Sequence, residues 1–146
     1  MTLVYPVDPN FNGRPIIIAR VECLLTRKTF LVPMLLDTGA DETCFPGDFA
    51  AYFGHDNHHP KVIKGSCGGI GGSSDKYFHS VQVSLLDPNK TAPTSPVVAW
   101  TSENKTSSFI KKLDTGFGLV GMDVMTQWKS VTFASGSKGL KIEIVI

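Results

Sequence analysis

The sequence lacks the features that mark two common classes of binding protein. Fourteen basic against thirteen acidic residues give a net charge of +1, so there is no basic excess for nucleic acid or an acidic membrane surface. No run reaches the roughly 18 apolar residues of a membrane-spanning helix. Residues 1–10 contain Asp8 and two prolines instead of the apolar core of a signal peptide. We therefore expect no nucleic-acid partner, no membrane partner and an intracellular (cytoplasmic) location.

Paired cysteines and metal-binding patterns are also lacking. Cys23, Cys44 and Cys67 are odd in number and have no paired spacing, which predicts free thiols in a reducing compartment. A cluster of three histidines lies around Asp56, namely His55, His58 and His59. Their spacing lacks the separation usual for structural zinc sites. We predict a solvated loop there and no metal site.

The composition is that of an ordinary globular domain. The chain has 146 residues, of which 42% are hydrophobic and 18% charged, which suits one domain with its own core. Glycine and proline interrupt short runs of Val, Ile, Leu, Phe and Thr, a pattern typical of an all-β domain. No internal repeat or low-complexity segment suggests a second domain.

The strands can be placed approximately. Residues 15–25 form a predicted strand with Ile16 and Ile18 on one side, followed by a hairpin near residues 26–28. Residues 29–36 are almost wholly apolar, which predicts a strand buried on both faces. Residues 87–95 and 101–108 are polar and predict loops. The remaining predicted elements are a short helix at 122–128 and strands at 61–64, 76–86, 96–100, 130–134 and 140–146.

A carboxylate at the end of the apolar strand is the strongest functional signal. Asp37 follows Leu35-Leu36 and is itself followed by Thr38 and Gly39. An ionised carboxylate is costly to keep beside a buried strand, so it is a candidate functional group. Glycine allows a sharp turn and close approach of a ligand. The alternative is an aspartate that only caps a turn.

Four motifs resemble those of the retropepsin family, the retroviral-type aspartic proteases. Leu36-Asp37-Thr38-Gly39-Ala40-Asp41 resembles the active-site loop, and the glycine-rich residues 68–72 resemble the tip of the flap. Leu119-Val120-Gly121 with the following helix resembles a motif near the end of the family's fold, and Arg14-Pro15 resembles a pair at the viral dimer interface. The motifs occur in the family's order over roughly residues 14–146. The resemblance implies one domain (1–146, with 1–13 as an N-terminal extension) and a closed, barrel-like all-β acid-protease fold with a flap hairpin and one short C-terminal helix.

The resemblance also implies an activity. Each chain of a retropepsin supplies one aspartate, so Asp37 would meet its twin in a homodimer. The two carboxylates would share one proton. One would activate water as a general base, and the other would hydrogen-bond the scissile carbonyl. The reaction is hydrolysis of a polypeptide without a cofactor, in a cytoplasmic or virion-associated setting.

Further residues take roles by the same resemblance. Thr38 and Gly39 complete the catalytic triplet. Arg14 would reach Asp41 of the other subunit, although the arginine that supports this contact in viral enzymes is replaced here by Met122. The C-terminal run alternates apolar and polar residues, which suits an intersubunit sheet. The expected dimer-interface residues are Arg14, Thr38, Leu140, Ile142 and Ile144, and the expected substrate-binding residues are Ala40, Asp41, Glu42, Gly68, Gly69, Ile70 and Val98.

Three alternatives stay open at this point. Asp114-Thr115-Gly116 repeats the catalytic triplet, as in single-chain enzymes with two such loops. Its spacing of 77 residues from Asp37 (114 minus 37) is too short for a second lobe. The chain could instead be a peptide-binding or scaffold module of retropepsin fold without catalysis. It could also be a domain released from a larger polyprotein.

Overall fold

The computed structural model describes residues 1–54, 59–69, 72–92, 95–137 and 139–146. In these ranges the regular structure is mostly β-strand, which confirms the predicted all-β class. The strands are β1 (Thr2–Pro6), β2 (Ile16–Cys23), β3 (Thr29–Leu36), β4 (Cys44–Pro46), β5 (Ile63–Gly69), β6 (Gly72–His79), β7 (Val81–Ala92), β8 (Ser95–Thr101), β9 (Ser107–Ile110), β10 (Gly118–Val120), β11 (Ser130–Gly136) and β12 (Gly139–Val145).

Nine strands form one sheet in the order β5-β6-β9-β4-β10-β3-β2-β7-β8. β2 and β3 form the predicted hairpin, with Ile16 opposite Leu35 and Glu22 opposite Thr29. The pairs β10–β3 and β4–β9 are parallel, and the other pairs are antiparallel. The centre of this sheet therefore contains two parallel strands, β3 and β10, that end at the same edge.

The remaining three strands form a small sheet in the order β1-β12-β11. β12 is its central strand and is paired on both sides within one chain. The two chain termini meet here, because the Met1 ammonium donates to the Ile146 carbonyl (3.2 Å) and the Ile146 N–H donates to the Met1 carbonyl (3.0 Å). The small sheet therefore holds the first and the last residue of the sequence side by side.

In the described ranges, helical structure is limited to short segments. The predicted C-terminal helix is confirmed as α1 (Met122–Met125), which is shorter than the predicted span. Two 3-10 helices, Pro9–Phe11 and Gly47–Phe53, were not predicted. None of the helices in the described ranges has the length and apolar character that a membrane span requires.

One core joins the two sheets. The Ile142 and Ile144 side chains of β12 are 0% exposed and belong to the same cluster as the residues of the large sheet. The prediction that β3 is buried on both faces is wrong for its first half, because Phe30 and Leu31 are 37% and 53% exposed. The largest fully buried side chains include Phe45, Phe53, Phe109, Leu3, Met34 and Leu85.

Candidate active site

Asp37 lies where two parallel strands end side by side. Leu36 of β3 lies beside Val120 of β10, and both are buried. The Asp37 N–H donates a hydrogen bond of 3.1 Å to the Val120 carbonyl, and the Asp37 residue is half-buried. The strand ends thus fix the backbone of Asp37 at the border between the core and the surface.

Residues 37–40 form a tight turn that holds the Asp37 carboxylate. The Gly39 N–H donates to Asp37 Oδ1 (2.9 Å), and the Ala40 N–H donates to the Asp37 carbonyl (3.1 Å). A Cβ at Gly39 would lie 3.2 Å from Asp37 Oδ1, a tight contact. The absence of a side chain at position 39 therefore leaves room for this oxygen. Thr38 is exposed. Because a carboxylate has about four acceptor sites, Asp37 retains capacity to bind water or a second carboxyl group.

The start of α1 crosses under the Asp37 loop, which we define as residues 37–43. The Met122 N–H donates to the Ala40 carbonyl (2.8 Å), and the Asp123 N–H donates to the Asp41 carbonyl (3.1 Å). A Cβ at Gly121 would lie 2.4 Å from the Glu42 carbonyl carbon, a distance that real Cβ contacts do not show. The two backbone segments can approach this closely only because residue 121 is glycine.

Side chains reinforce this crossing. The Thr43 N–H and hydroxyl both donate to Asp123 Oδ1, at 2.9 and 2.8 Å. The Thr43 hydroxyl also accepts from the Gly121 N–H (3.0 Å), and Asn104 Nδ2 donates to Asp123 Oδ2 (3.1 Å). Thr43 is 1% exposed, so its polar groups depend on these partners.

Glu42 joins the Asp37 loop to the neighbouring hairpin. Glu42 Oε2 accepts from Lys76 Nζ and from Ser108 Oγ, both at 3.1 Å. The Lys76 side chain is 17% exposed, whereas that of Glu42 is 53% exposed. A half-exposed ion pair contributes little to stability, but it fixes the distance between the loop and β6.

The glycine-rich segment forms the end of the β5–β6 hairpin. The two strands pair from Ile63–Phe78 to Gly69–Gly72, and Ile70 lies outside the described residues. Two backbone donors hold the second strand from the side, because the Lys111 N–H donates to the Asp75 carbonyl (3.0 Å) and the Lys112 N–H donates to Ser74 Oγ (3.1 Å). Gly68 and Gly69 therefore extend a hairpin that is anchored along β6.

Asp37, Thr38, Gly39, Ala40, Asp41 and Glu42 form one continuous surface loop, as their sequence order requires. Val98 lies on β8, which is separated from β3 by β2 and β7 in the order of the large sheet, and its role as a substrate contact stays a prediction. Arg14 is exposed, and its guanidinium carbon lies 5.9 Å from the centre of the Phe117 ring. This contact within one copy is in the range of a cation–π interaction, and the proposed contact with a partner's Asp41 stays a prediction.

The C-terminal residues expected at a dimer interface serve the core of one copy. Ile142 and Ile144 are completely buried, and both edges of β12 are occupied by β1 and β11. Backbone pairing of β12 with a second copy would require β1 or β11 to leave it, and a contact through these two side chains would require the core to open. Leu140 is half-buried, and its role at an interface stays a prediction.

The second Asp-Thr-Gly triplet lies in a surface turn between β9 and β10. Asp114 is exposed, Gly116 has a φ of +73°, and Thr115 Oγ1 donates to the Phe117 carbonyl (2.6 Å). This triplet therefore precedes the strand β10, whereas Asp37 follows the strand β3. The two triplets differ in their structural setting.

Two observations concern other chemistry near Asp37. The pKa of the Cys44 thiol is raised to about 12, mainly by burial and to a smaller extent by the charges of Cys67 and Asp37. Cys44 is therefore protonated at neutral pH and is no candidate nucleophile. Among the described residues, no three His, Cys, Asp or Glu side chains form a metal-binding group; of the histidine cluster, residues 55–58 lie outside those ranges.

A large groove of about 630 Å³ lies away from Asp37. It is formed by the N-terminal segment, β2 and β7. Three smaller grooves in the described part of the chain likewise do not include Asp37 in their linings.

Sequence reasoning missed the residues that support the loop from below. These are Thr43, Asp123, Asn104, Gln127, Lys76 and Ser108. Asp123 lies two positions after Gly121 of the Leu119-Val120-Gly121 motif, and this proximity was the only feature of the sequence that pointed to Asp123. The partners Thr43 and Asn104 lie 80 and 19 residues away, so no local pattern links them.

No protein-family model and no curated protein sequence matches the chain. Among solved structures, it is similar to a retropepsin-like aspartic protease from Rickettsia conorii, with a TM-score of 0.53, 14% identity and coverage of 98% of this chain and 90% of the other. It is also similar to the EIAV protease in complex with the inhibitor HBY-793, with a TM-score of 0.48, 18% identity and coverage of 83% and 93%. The Rickettsia likeness shows that the chain has a retropepsin-type fold.

Proposed function

We propose that this chain is an aspartic endopeptidase that works as a homodimer, with the Asp37 carboxylates of two copies as its catalytic pair. The observation that carries the proposal is the position of Asp37. It follows directly after β3, is held beside the end of β10, and lies in a turn that leaves part of its carboxylate open to an outside group.

The proposed reaction needs two such carboxyl groups. An ionised Asp37 takes a proton from water, while the protonated Asp37 of the second copy donates a hydrogen bond to the scissile carbonyl. The water oxygen then attacks the carbonyl carbon, and the tetrahedral intermediate collapses as a proton reaches the leaving amine. One chain offers one aspartate in this setting, because Asp114 lies in a surface turn ahead of its strand.

The β5–β6 hairpin is the proposed flap. It is anchored through Lys76 to Glu42 of the Asp37 loop, which places its base beside the catalytic turn. A polypeptide substrate in extended form would lie between the loop and the hairpin, bound through backbone hydrogen bonds. The proposed contacts are Ala40, Asp41, Glu42, Gly68, Gly69 and Ile70, with Val98 of β8 as a further candidate.

The proposed dimer contact begins at the exposed Thr38 of the turn and at Arg14. The small sheet supplies two further edges, since the outer edges of β1 and β11 are unpaired in the described chain. A second copy can pair with such an edge without displacing β12.

Cleavage of a peptide library by purified protein tests the proposal. The Asp37→Asn variant should lose at least about a thousandfold in kcat/KM, because asparagine keeps the shape of the turn but cannot accept the proton of water. The matched control, Asp114→Asn, removes the same charge from a surface turn and should leave cleavage unchanged. Specific activity of the unaltered protein should fall on dilution as the dimer dissociates.

Two results would contradict the proposal. Residual cleavage by Asp37→Asn within tenfold of the unaltered protein would exclude Asp37 as the base. Undiminished specific activity at concentrations where sedimentation shows only monomer would exclude a shared site. A protein that binds library peptides without cutting them would instead be the scaffold module of the same fold.

A further inference from the structure

A hydrogen-bond network beneath the Asp37 loop reaches a segment for which the sequence suggested no role. This segment, residues 102–106, connects β8 to β9. We define the Asp123 network as the side chains of Thr43, Asn104, Asp123 and Gln127 with the Glu103 N–H. All four side chains are buried or half-buried, so water competes only partly for their hydrogen bonds.

The connector is itself fixed to the large sheet. Ser102 is 2% exposed, its N–H donates to the Val83 carbonyl (2.9 Å), and Gln82 Nε2 donates to the Ser102 carbonyl (2.7 Å). Ser102 Oγ donates to the Asn104 carbonyl (3.2 Å). Asn104 is therefore held against β7, and its side chain offers a fixed point for the Asp37 loop.

The network has a backbone donor at each end. At one end, the Glu103 N–H donates to Gln127 Oε1 (2.8 Å). At the other end, the Thr43 N–H donates to Asp123 Oδ1 (2.9 Å). Between these ends, Gln127 Nε2 donates to Asn104 Oδ1, and Asn104 Nδ2 donates to Asp123 Oδ2 (3.1 Å). The orientation of Gln127 is fixed twice, because its Nε2 also donates to the Asp123 carbonyl (2.9 Å).

This arrangement dictates how many carboxylates the network contains. An amide side chain accepts on one side and donates on the other, whereas a carboxylate only accepts. A row of hydrogen-bonded side chains that meets an N–H donor at both ends must contain one group that accepts hydrogen bonds on both sides. With amides at all three positions, two N–H donors would always face each other, whichever amide is turned. One carboxylate removes this conflict, and two would place acceptors against each other.

We propose that Asn104 and Gln127, acting through Asp123, are positioning residues for the Asp37 loop, and that their network is complete only with a single carboxylate, which can stand at position 123 or at position 104. The proposal rests on the proposed proteolytic function for its effect on activity. Thr43 ends the Asp37 loop, so the network sets the position of the loop against β7. Connector 102–106 thereby gains a role in the geometry of the catalytic pair.

An exchange of the two residues tests the proposal. Asp123→Asn alone creates opposed donors, and Asn104→Asp alone creates opposed acceptors. The double variant Asn104→Asp/Asp123→Asn restores every pairing. Its amide at position 123 can accept from Thr43 and donate to the carboxylate at position 104, and that carboxylate also accepts from Gln127. Asp114→Asn serves as the control for the loss of one surface charge.

Thermal unfolding reports on the network without any need for activity. Each single variant should lower the unfolding midpoint by roughly 5 °C, as expected for the loss of a charged, partly buried hydrogen bond. The double variant should return to within about 2 °C of the unaltered protein. A double variant no more stable than the worse single variant would overturn the single-carboxylate rule.

Steady-state cleavage of a library-selected peptide reports on positioning. In each single variant kcat should fall about tenfold or more while KM changes less than about threefold, because a small misplacement of a reacting group affects the chemical step most. The double variant should recover most of kcat. Unchanged kcat in single variants that are less stable would overturn the positioning role. An unaltered protein that cuts no peptide would refute the proposed function, while the midpoints would still decide the network.

Discussion

Substitution of Gly121 by alanine tests the close backbone crossing between α1 and the Asp37 loop. The new Cβ would lie 2.4 Å from the Glu42 carbonyl carbon, 2.6 Å from its oxygen and 2.8 Å from the Thr43 nitrogen. Ordinary contact begins at 3.4 Å, so the backbone of the Asp37 loop would have to move by about 1 Å. Backbone atoms of a hydrogen-bonded loop cannot turn aside as the end of a flexible side chain can.

The expected cost is about 3 kcal/mol in the free energy of unfolding, the upper end of the usual range for overpacking. This amounts to roughly a hundredfold in the folding equilibrium. Backbone strain does not contribute, because Gly121 has a φ of −89° and a ψ of −179°, an extended conformation open to any residue. The matched control is Gly116→Ala, where a Cβ meets nothing within 4 Å but φ is +73°, and its cost should be about 1 kcal/mol.

Urea unfolding of both variants and the unaltered protein, at one protein concentration, measures the two costs. The concentration is held constant because association would add to the apparent stability. Equal midpoints for Gly121→Ala and Gly116→Ala would refute the reasoning, since they would mean that residue 121 has room for a methyl group. A change in the slope of the transition, rather than in its midpoint, would point to an altered unfolded state.

Three further predictions concern the core and the thiols. Ile144→Ala should lower the free energy of unfolding by about 2–5 kcal/mol in urea, because Ile144 is fully buried at the centre of the small sheet; Phe133→Ala, which truncates a 43% exposed side chain, should cost clearly less. Burial raises the pKa of Cys44 from its ordinary 9.0 to about 12, so its contribution to stability is complete below pH 9 and is lost as the pH rises towards 12. Cys44→Ala should therefore flatten the alkaline loss of stability, and a thiol reagent at pH 8 should modify the half-buried Cys67 before Cys44.

The parts of the fold that the sequence predicted correctly are governed by local patterns. The strand at residues 29–36 was predicted with its observed bounds, because an apolar run lies between the turn at 26–28 and a charged residue. Asp37 was singled out by the same contrast. The short helix after Gly121 was also predicted, because unbranched apolar side chains are mixed with polar ones in residues 122–128.

The face of β2 was not predicted correctly. Ile16 and Ile18 were expected on one side, but Ile18 is 43% exposed and Ile17 is 3% exposed. Three consecutive isoleucines carry no alternation, so they do not reveal which side faces the core. The phase is set by Ala19, Val21 and Cys23, which are buried and alternate with Arg20 and Glu22.

Other features depend on distant contacts. The polar residues 87–92 continue the strand β7 where loops were expected, because β8 supplies partners such as Pro96 for Thr91. The 3-10 helix Gly47–Phe53 buries Phe53 at 1% exposure against rings from other strands. The Asp123 network joins residues from three separate segments. Such pairings arise from the packing of the sheet and have no signature in a single stretch of sequence.

The meeting of the two termini in the small sheet has a consequence for how the chain could be rearranged. Because Met1 and Ile146 hydrogen-bond each other, a linker of a few residues could join them at a small cost in loop entropy. New ends could then be opened at the exposed turn of Asp114. In such a circular permutant the strand order in space would stay the same, while β10, α1 and the small sheet would precede β3 in the sequence. The Asp37 turn would therefore form from the same neighbouring strands, although these would be synthesised in a different order.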